Sequence, residues 1–171
     1  MISAAPTATR PAFQRSVPDD MRALDTFTQP DYADLFTVPI AAPQAHEAPA
    51  RWARHAVEDA PPRIRLIAAT AVVLQRLLLG MRGDPRTRSR RLGGWHIAAH
   101  GDRWVRIEAS GRLMSGHIVL RLDADRLNAA TFVRYHRRAA ALIWPPISRI
   151  HRRVGLVLMR HAARSAEDMQ P

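Results

Sequence analysis

Two charged residues stand in strand-like stretches and could face a cavity: Glu108 within Arg103–Ala109 and Arg134 within Leu127–Tyr135. A carboxyl group in apolar surroundings has a raised pKa and can act as a general acid or base. The same residue types also serve as a structural ion pair, or simply face water. His151 lies on a stretch with helical spacing. A packed or hydrogen-bonded histidine is the first expectation there, and a polar contact to a ligand the second. Trp95, Trp104, Tyr135 and Trp144 are the aromatic residues that could line a pocket, because ligand sites are mostly apolar with a few polar groups. Ordinary core packing is the alternative for each.

No other catalytic constellation is legible. His96 and His100 are four residues apart, but within a strand they would share a face about 13 Å apart, too far to hold one ion. No metal site is therefore expected. A GxSxG nucleophile elbow is absent, and Ser110-Gly111 and Ser115-Gly116 read as turns or bulges. The connector Gly83–Gly94, GDPRTRSRRLGG, places four arginines between glycines. It lacks the Gly-Lys-Ser/Thr ending of a P-loop and reads as a solvated loop. Neither a catalytic residue nor a cofactor is expected.

The 171 residues suffice for one domain with a full core. The absence of cysteine excludes disulfides and thiolate metal sites and allows a reducing compartment, so a cytoplasmic location is expected. The net charge is +11, from 26 basic and 15 acidic residues, and every basic residue is arginine. An arginine-only, alanine-rich composition matches GC-rich coding, which weakens a nucleic-acid reading. The charge is nevertheless uneven: Arg126 to Arg164 holds nine arginines and no carboxylate. Such a segment attracts phosphates, acidic partners or anionic lipid. A solvated basic helix face is the simpler reading; a membrane surface is the alternative partner, and nucleic acid is disfavoured. The oligomeric state is not legible.

Residues 1–30 read as a mobile leader, rich in turn formers and without the apolar core of a secretory signal. Leu35–Ile40 reads as a short strand, with Tyr32, Leu35, Phe36, Val38 and Ile40 as candidates for burial. Pro49–Asp59 reads as a short helix. The longest apolar run, Ile64–Met81, predicts a buried helix whose face includes Leu66 and Val73. Its length approaches a bilayer span, but Arg65, Gln75 and Arg76 offset the gain from its aliphatic residues. Strands follow at Trp95–His100, Arg103–Ala109, Leu113–Leu122 and Leu127–Tyr135, joined by turns short enough for antiparallel pairing. A final helix is predicted over Arg137–Ser165, broken at Trp144-Pro145-Pro146. Ile147, Ile150, Val154, Val157, Leu158 and His161 are expected on its buried face. Residues 166–171 should fray. The layout is α+β: a curved antiparallel sheet wrapped around a long C-terminal helix, with two helices inserted after the first strand.

Four pieces carry a family resemblance: the entry DYADLFTVPI, the pair Gly94-Trp95, the strand pair WVRIEASGRLMSGHIVLRLD, and the ending TFVRYHRRAAALIWPPISRIHRRV. With this element order the chain resembles the START-like (helix-grip, SRPBCC) superfamily. The branch is a bacterial family of unknown function whose domain also occurs fused behind short-chain dehydrogenase/epimerase-like domains. Trp144 and His151 stand in its recurring places, and the resemblance covers about residues 31 to 163. No GxGxxG follows a strand, so no redox role carries over. The resemblance implies one helix-grip domain over 31–165, with a cavity between sheet and terminal helix for a lipid- or polyketide-like ligand. Trp95, Trp104, Glu108, Arg134, Tyr135, Trp144 and His151 are then its candidate lining. The layout and the aromatic strand faces, without a catalytic constellation, favour binding without turnover. The alternative is a cyclase- or dehydratase-like enzyme using Glu108, Arg134 or His151, since fold alone does not choose.

Overall fold

The computed structural model describes residues 12–40, 61–63, 65, 66, 69, 70, 73, 81, 82, 91, 92 and 95–167. Its strands are β1 (Ala12–Gln14), β2 (Tyr32–Pro39), β3 (Met81–Arg82), β4 (Arg91–Leu92), β5 (Trp95–Gly101), β6 (Trp104–Gly111), β7 (Met114–Leu122) and β8 (Arg126–Tyr135). A short helix α1 spans Asp19–Arg22, and the long terminal helix α2 spans Arg138–Glu167. All eight strands pair antiparallel in one open, curved sheet of order β1-β2-β8-β7-β6-β5-β4, with β3 pairing β6 beside β5. Consecutive strands from β4 to β8 are neighbours because short turns join them. β8 then pairs with β2, in register from Tyr32↔Val133 to Pro39↔Arg126.

Strand alternation divides the side chains between two covered faces. Tyr32, Phe36 and Val38 of β2, Val105 and Ile107 of β6 and Val133 of β8 lie under α2. Trp144 and Ile147 pack near one end of the helix, and Met159, Ala162 and Ala163 near the other. The opposite face carries Leu35, Val119, Ala130 and Phe132. It is covered by Val17 and Met21, with Leu24 and Phe27 beside them.

That second layer lies within the residues read as a mobile leader. β1 pairs with β2 and Met21 is 1% exposed, so ordered structure starts upstream of Asp31. The segment is poor in large apolar residues, but Val17, Met21, Leu24 and Phe27 pack on the sheet.

Three further expectations change. α2 runs through Pro145 and Pro146 without a break. The two prolines leave the carbonyls of Ala141 and Leu142 without helical partners, and all four residues are exposed, so water can take those bonds. The buried face of α2 is also rotated from the one expected. Ile150 and Val157 face solvent, while Ala140, Ser148, Met159 and Ala162 face in. Small residues let the helix lie close: a Cβ on Gly155 would meet Phe36 Cζ at 3.3 Å. Finally, β5 carries a bulge between Ile97 and Ala99. His96 pairs with Glu108 and His100 with Val105, so the two histidines point to opposite faces rather than sharing one.

The Pro49–Asp59 helix and the Gly83–Arg90 part of the basic connector lie outside the described residues, as does most of Ile64–Met81. The described positions from Pro62 to Val73 are helical, and Leu66 and Val73 are exposed there, contrary to expectation.

Candidate functional site

Where α2 crosses β2 and β8, the apolar interface holds a polar cluster. Asp34 has an inward position on β2 and is 0% exposed. Tyr32 Oη donates to Asp34 Oδ2 at 2.5 Å. Arg152 of α2 donates from one guanidinium nitrogen to Tyr32 Oη at 3.3 Å and Ser148 Oγ at 3.2 Å. His151 Nε2 lies 3.0 Å from Thr131 Oγ1 on β8 and 3.9 Å from Asp34 Oδ1. Trp144 completes the wall, edge-on to Tyr32 at 5.3 Å and tilted against His151 at 5.8 Å. A carboxylate, an imidazole, a phenol and a guanidinium thus meet across the helix–sheet contact.

Burial depresses the His151 pKa; Asp34 pulls it back up and Arg152 pushes it further down. The fold therefore prefers the neutral imidazole, whereas the unfolded chain takes up a proton near the ordinary value of 6.5. Stability from this source is present above that value and is lost as pH falls through it. The urea midpoint should drop between about pH 7.5 and about pH 5.5. His151→Gln should show a smaller drop over the same interval. Equal drops in the two proteins would dismiss His151 as the cause.

Tyr32 moves the other way: burial and the adjacent Asp34 push its pKa up to about 12. The unfolded chain loses that proton sooner, so this contribution holds below the ordinary value of 10.0 and is lost as pH climbs toward about 12. Ultraviolet titration of a Tyr135→Phe protein should accordingly show no tyrosinate step near pH 10.0 while the fold persists.

Two pockets lined by described residues adjoin this cluster. One, bounded by Trp95, Met114, Gly116, Thr131, Val133, Trp144 and His151, is about 10 Å³, the space of a single water molecule. The other is an open groove of about 320 Å³ between β1, β2 and α2. Phe13, Phe36 and Leu156 supply its apolar surface and Arg149, Arg152 and Arg153 its charge. The Arg152 guanidinium stands 5.3 Å from the Phe13 ring centre.

Comparisons with family models, curated proteins and solved structures found no match.

The expected lining residues separate onto two faces. Trp95, Trp144 and His151 border the small cavity, and Tyr135 packs against the same core. Trp104 and Glu108 project from the other face of β6, by alternation with Val105 and Ile107. Arg134 is exposed on the corresponding face of β8. Glu108 is therefore not a cavity acid. It accepts from Arg106 Nε at 2.7 Å and lies 3.8 Å from His117 Nε2. His117 in turn bonds through Nδ1 to Asp25 Oδ1 at 2.5 Å, with Phe27 stacked on its ring at 3.7 Å. Arg106 also donates to the Leu24 carbonyl at 2.8 Å. The ion-pair alternative for Glu108 is the one observed, and the cluster fastens the N-terminal segment to the sheet.

Asp34, Thr131, Arg152 and Phe13 were not among the expected site residues. Asp34 had a readable signal: it shares the alternation of Tyr32, Phe36 and Val38, so an inward carboxylate was implied once the strand began at Tyr32. Phe13 had none, because nothing local marks a three-residue edge strand. Among the described residues, no group of three or more His, Asp or Glu is placed to hold a metal ion.

Proposed function

We propose that the chain is a START-like, helix-grip binding protein for a small, mostly apolar ligand carrying one anionic group. The ligand sits in the groove between β1, β2 and α2. The element order supports the fold reading: a first long strand, helical positions at 62–73, an antiparallel run and a terminal helix. The observation that carries the function is the groove's composition, with three arginines around an apolar surface in about 320 Å³. That volume is within the usual range for small-molecule sites, and the 10 Å³ interior cavity is not. The apolar surface gains from burying a hydrocarbon chain, and the guanidinium groups select a carboxylate, sulfonate or phosphate end.

Isothermal titration with dodecanoate and dodecanol tests this. Dodecanoate should bind at one site per chain, about tenfold or more tighter than the uncharged alcohol. Arg152→Gln should shrink that preference, and Phe13→Ser should weaken both ligands. Equal affinity for acid and alcohol, or indifference to Phe13→Ser, would remove the groove as the site.

A further inference from the structure

The outer face of α2 remains unexplained by this reading. At about 100° per residue, Leu142, Ile150 and Val157 fall within one arc of roughly 100°. The same arc holds Arg149, Arg153, Arg160 and Arg164. All seven are exposed, with Leu142 at 80%, Ile150 at 46% and Val157 at 39%. From Leu142 to Arg164 the stripe runs about 33 Å along the helix. No carboxylate interrupts α2 before Glu167. Arginine and large aliphatic residues thus alternate along a single exposed line.

We infer that this face docks, parallel to the plane, on an anionic lipid bilayer. Charge complementarity requires a negative partner. A nucleic acid would satisfy the arginines and leave Leu142, Ile150 and Val157 facing water. A bilayer surface offers both components: phosphate and carboxylate headgroups for the guanidinium groups, and the acyl boundary just below for the aliphatic side chains. Long arginine side chains reach headgroups while their stems lie along apolar surface. Among the described residues no helix is long and apolar enough to cross a membrane, so the contact is peripheral. Arg149 and Arg153 border the groove as well as the stripe, which would bring the groove's rim to the headgroup layer.

The inference stands apart from the groove reading, and its test uses residues that do not line the groove. The full chain is sedimented with vesicles of phosphatidylcholine alone, or with roughly one-third phosphatidylserine. Binding is expected only to the second. Each arginine near such a surface contributes about fivefold, so Arg160→Glu with Arg164→Glu should weaken binding at least about twenty-fold. Leu142→Ser with Ile150→Ser should weaken it several-fold at unchanged charge. All four side chains are exposed, and unchanged circular dichroism would show that the fold survives. Absence of binding to phosphatidylserine vesicles overturns the inference. So does binding indifferent to the two serines, which would make the face a site for polyanions in general. A dimer abolished by Leu142→Ser, in protein that ignores vesicles, would assign the face to a second copy instead.

Discussion

A chain begun at Asp31 is expected to be largely unfolded or self-associated in plain buffer, whereas one begun at Ala12 should fold. The expectation follows from what the N-terminal segment covers. Val17 and Met21 are buried against Leu35, Val119, Ala130 and Phe132. Fully burying two such side chains is worth about 3–6 kcal/mol, against a total stability of about 5–15 kcal/mol for a domain. Removal also strands His117 Nδ1, whose partner Asp25 would be gone, and takes the Leu24 carbonyl from Arg106, which keeps its bond to Glu108. An unpaired buried polar group costs about a further 1–3 kcal/mol. Urea unfolding followed by far-ultraviolet circular dichroism distinguishes the outcomes. A cooperative transition at an unshifted midpoint in the Asp31 chain would show that the second layer is dispensable. Met21→Asp in the full chain is a milder version, placing a charge at a position 1% exposed.

Trp144→Ala should lower stability by about 3–5 kcal/mol, the usual range for deleting a buried aromatic. Trp144 is buried between Tyr32 and His151 at the helix–sheet contact. Its indole N–H has no acceptor among the described residues, so the loss comes from packing rather than from a hydrogen bond. The deletion would also join the 10 Å³ cavity to the space of the missing ring. Dry apolar cavities of that kind bind small aromatic molecules. Indole should therefore raise the melting temperature of the variant in a concentration-dependent way and leave the parent unchanged. A destabilised variant that ignores indole would mean that α2 has settled onto the sheet and closed the gap. In the parent, Trp144 is one wall of the small cavity between sheet and α2.

The sheet was legible because its signals are local. Alternation in Arg103–Ala109 and Leu113–Leu122, with turn residues between, specifies strands and antiparallel neighbours without any knowledge of the rest of the chain. The terminal helix was legible as a helix, but its buried face was not. Ile150 and Val157 carry the hydrophobic signal, yet packing distance decides the matter, and Gly155, Ala162 and Ala163 allow the closer approach. The bulge in β5 was illegible, since one extra residue leaves the composition of the strand unaltered. It still reverses the face of His100 relative to His96. Glu108 and Arg134 were expected to line the cavity because they are charged residues within strands. That pattern does not reveal that the opposite face of the sheet is covered too, with its own buried charges. The groove depends on β1 meeting α2, a contact between segments over a hundred residues apart. No periodicity reports a contact of that kind.

The pairing of β2 with β8 has a consequence for synthesis. Their register partners are separated by 87 to 101 residues, from Pro39↔Arg126 to Tyr32↔Val133. At about 5–20 residues per second, β2 leaves the ribosome roughly 5–20 seconds before its neighbour exists. During that interval the edge that β8 will occupy is unmatched, and Phe36 lacks the cover that α2 will supply. A nascent chain halted before Arg126 is expected to bind holdase chaperones, and translation speed through residues 40–126 sets how long that exposure lasts.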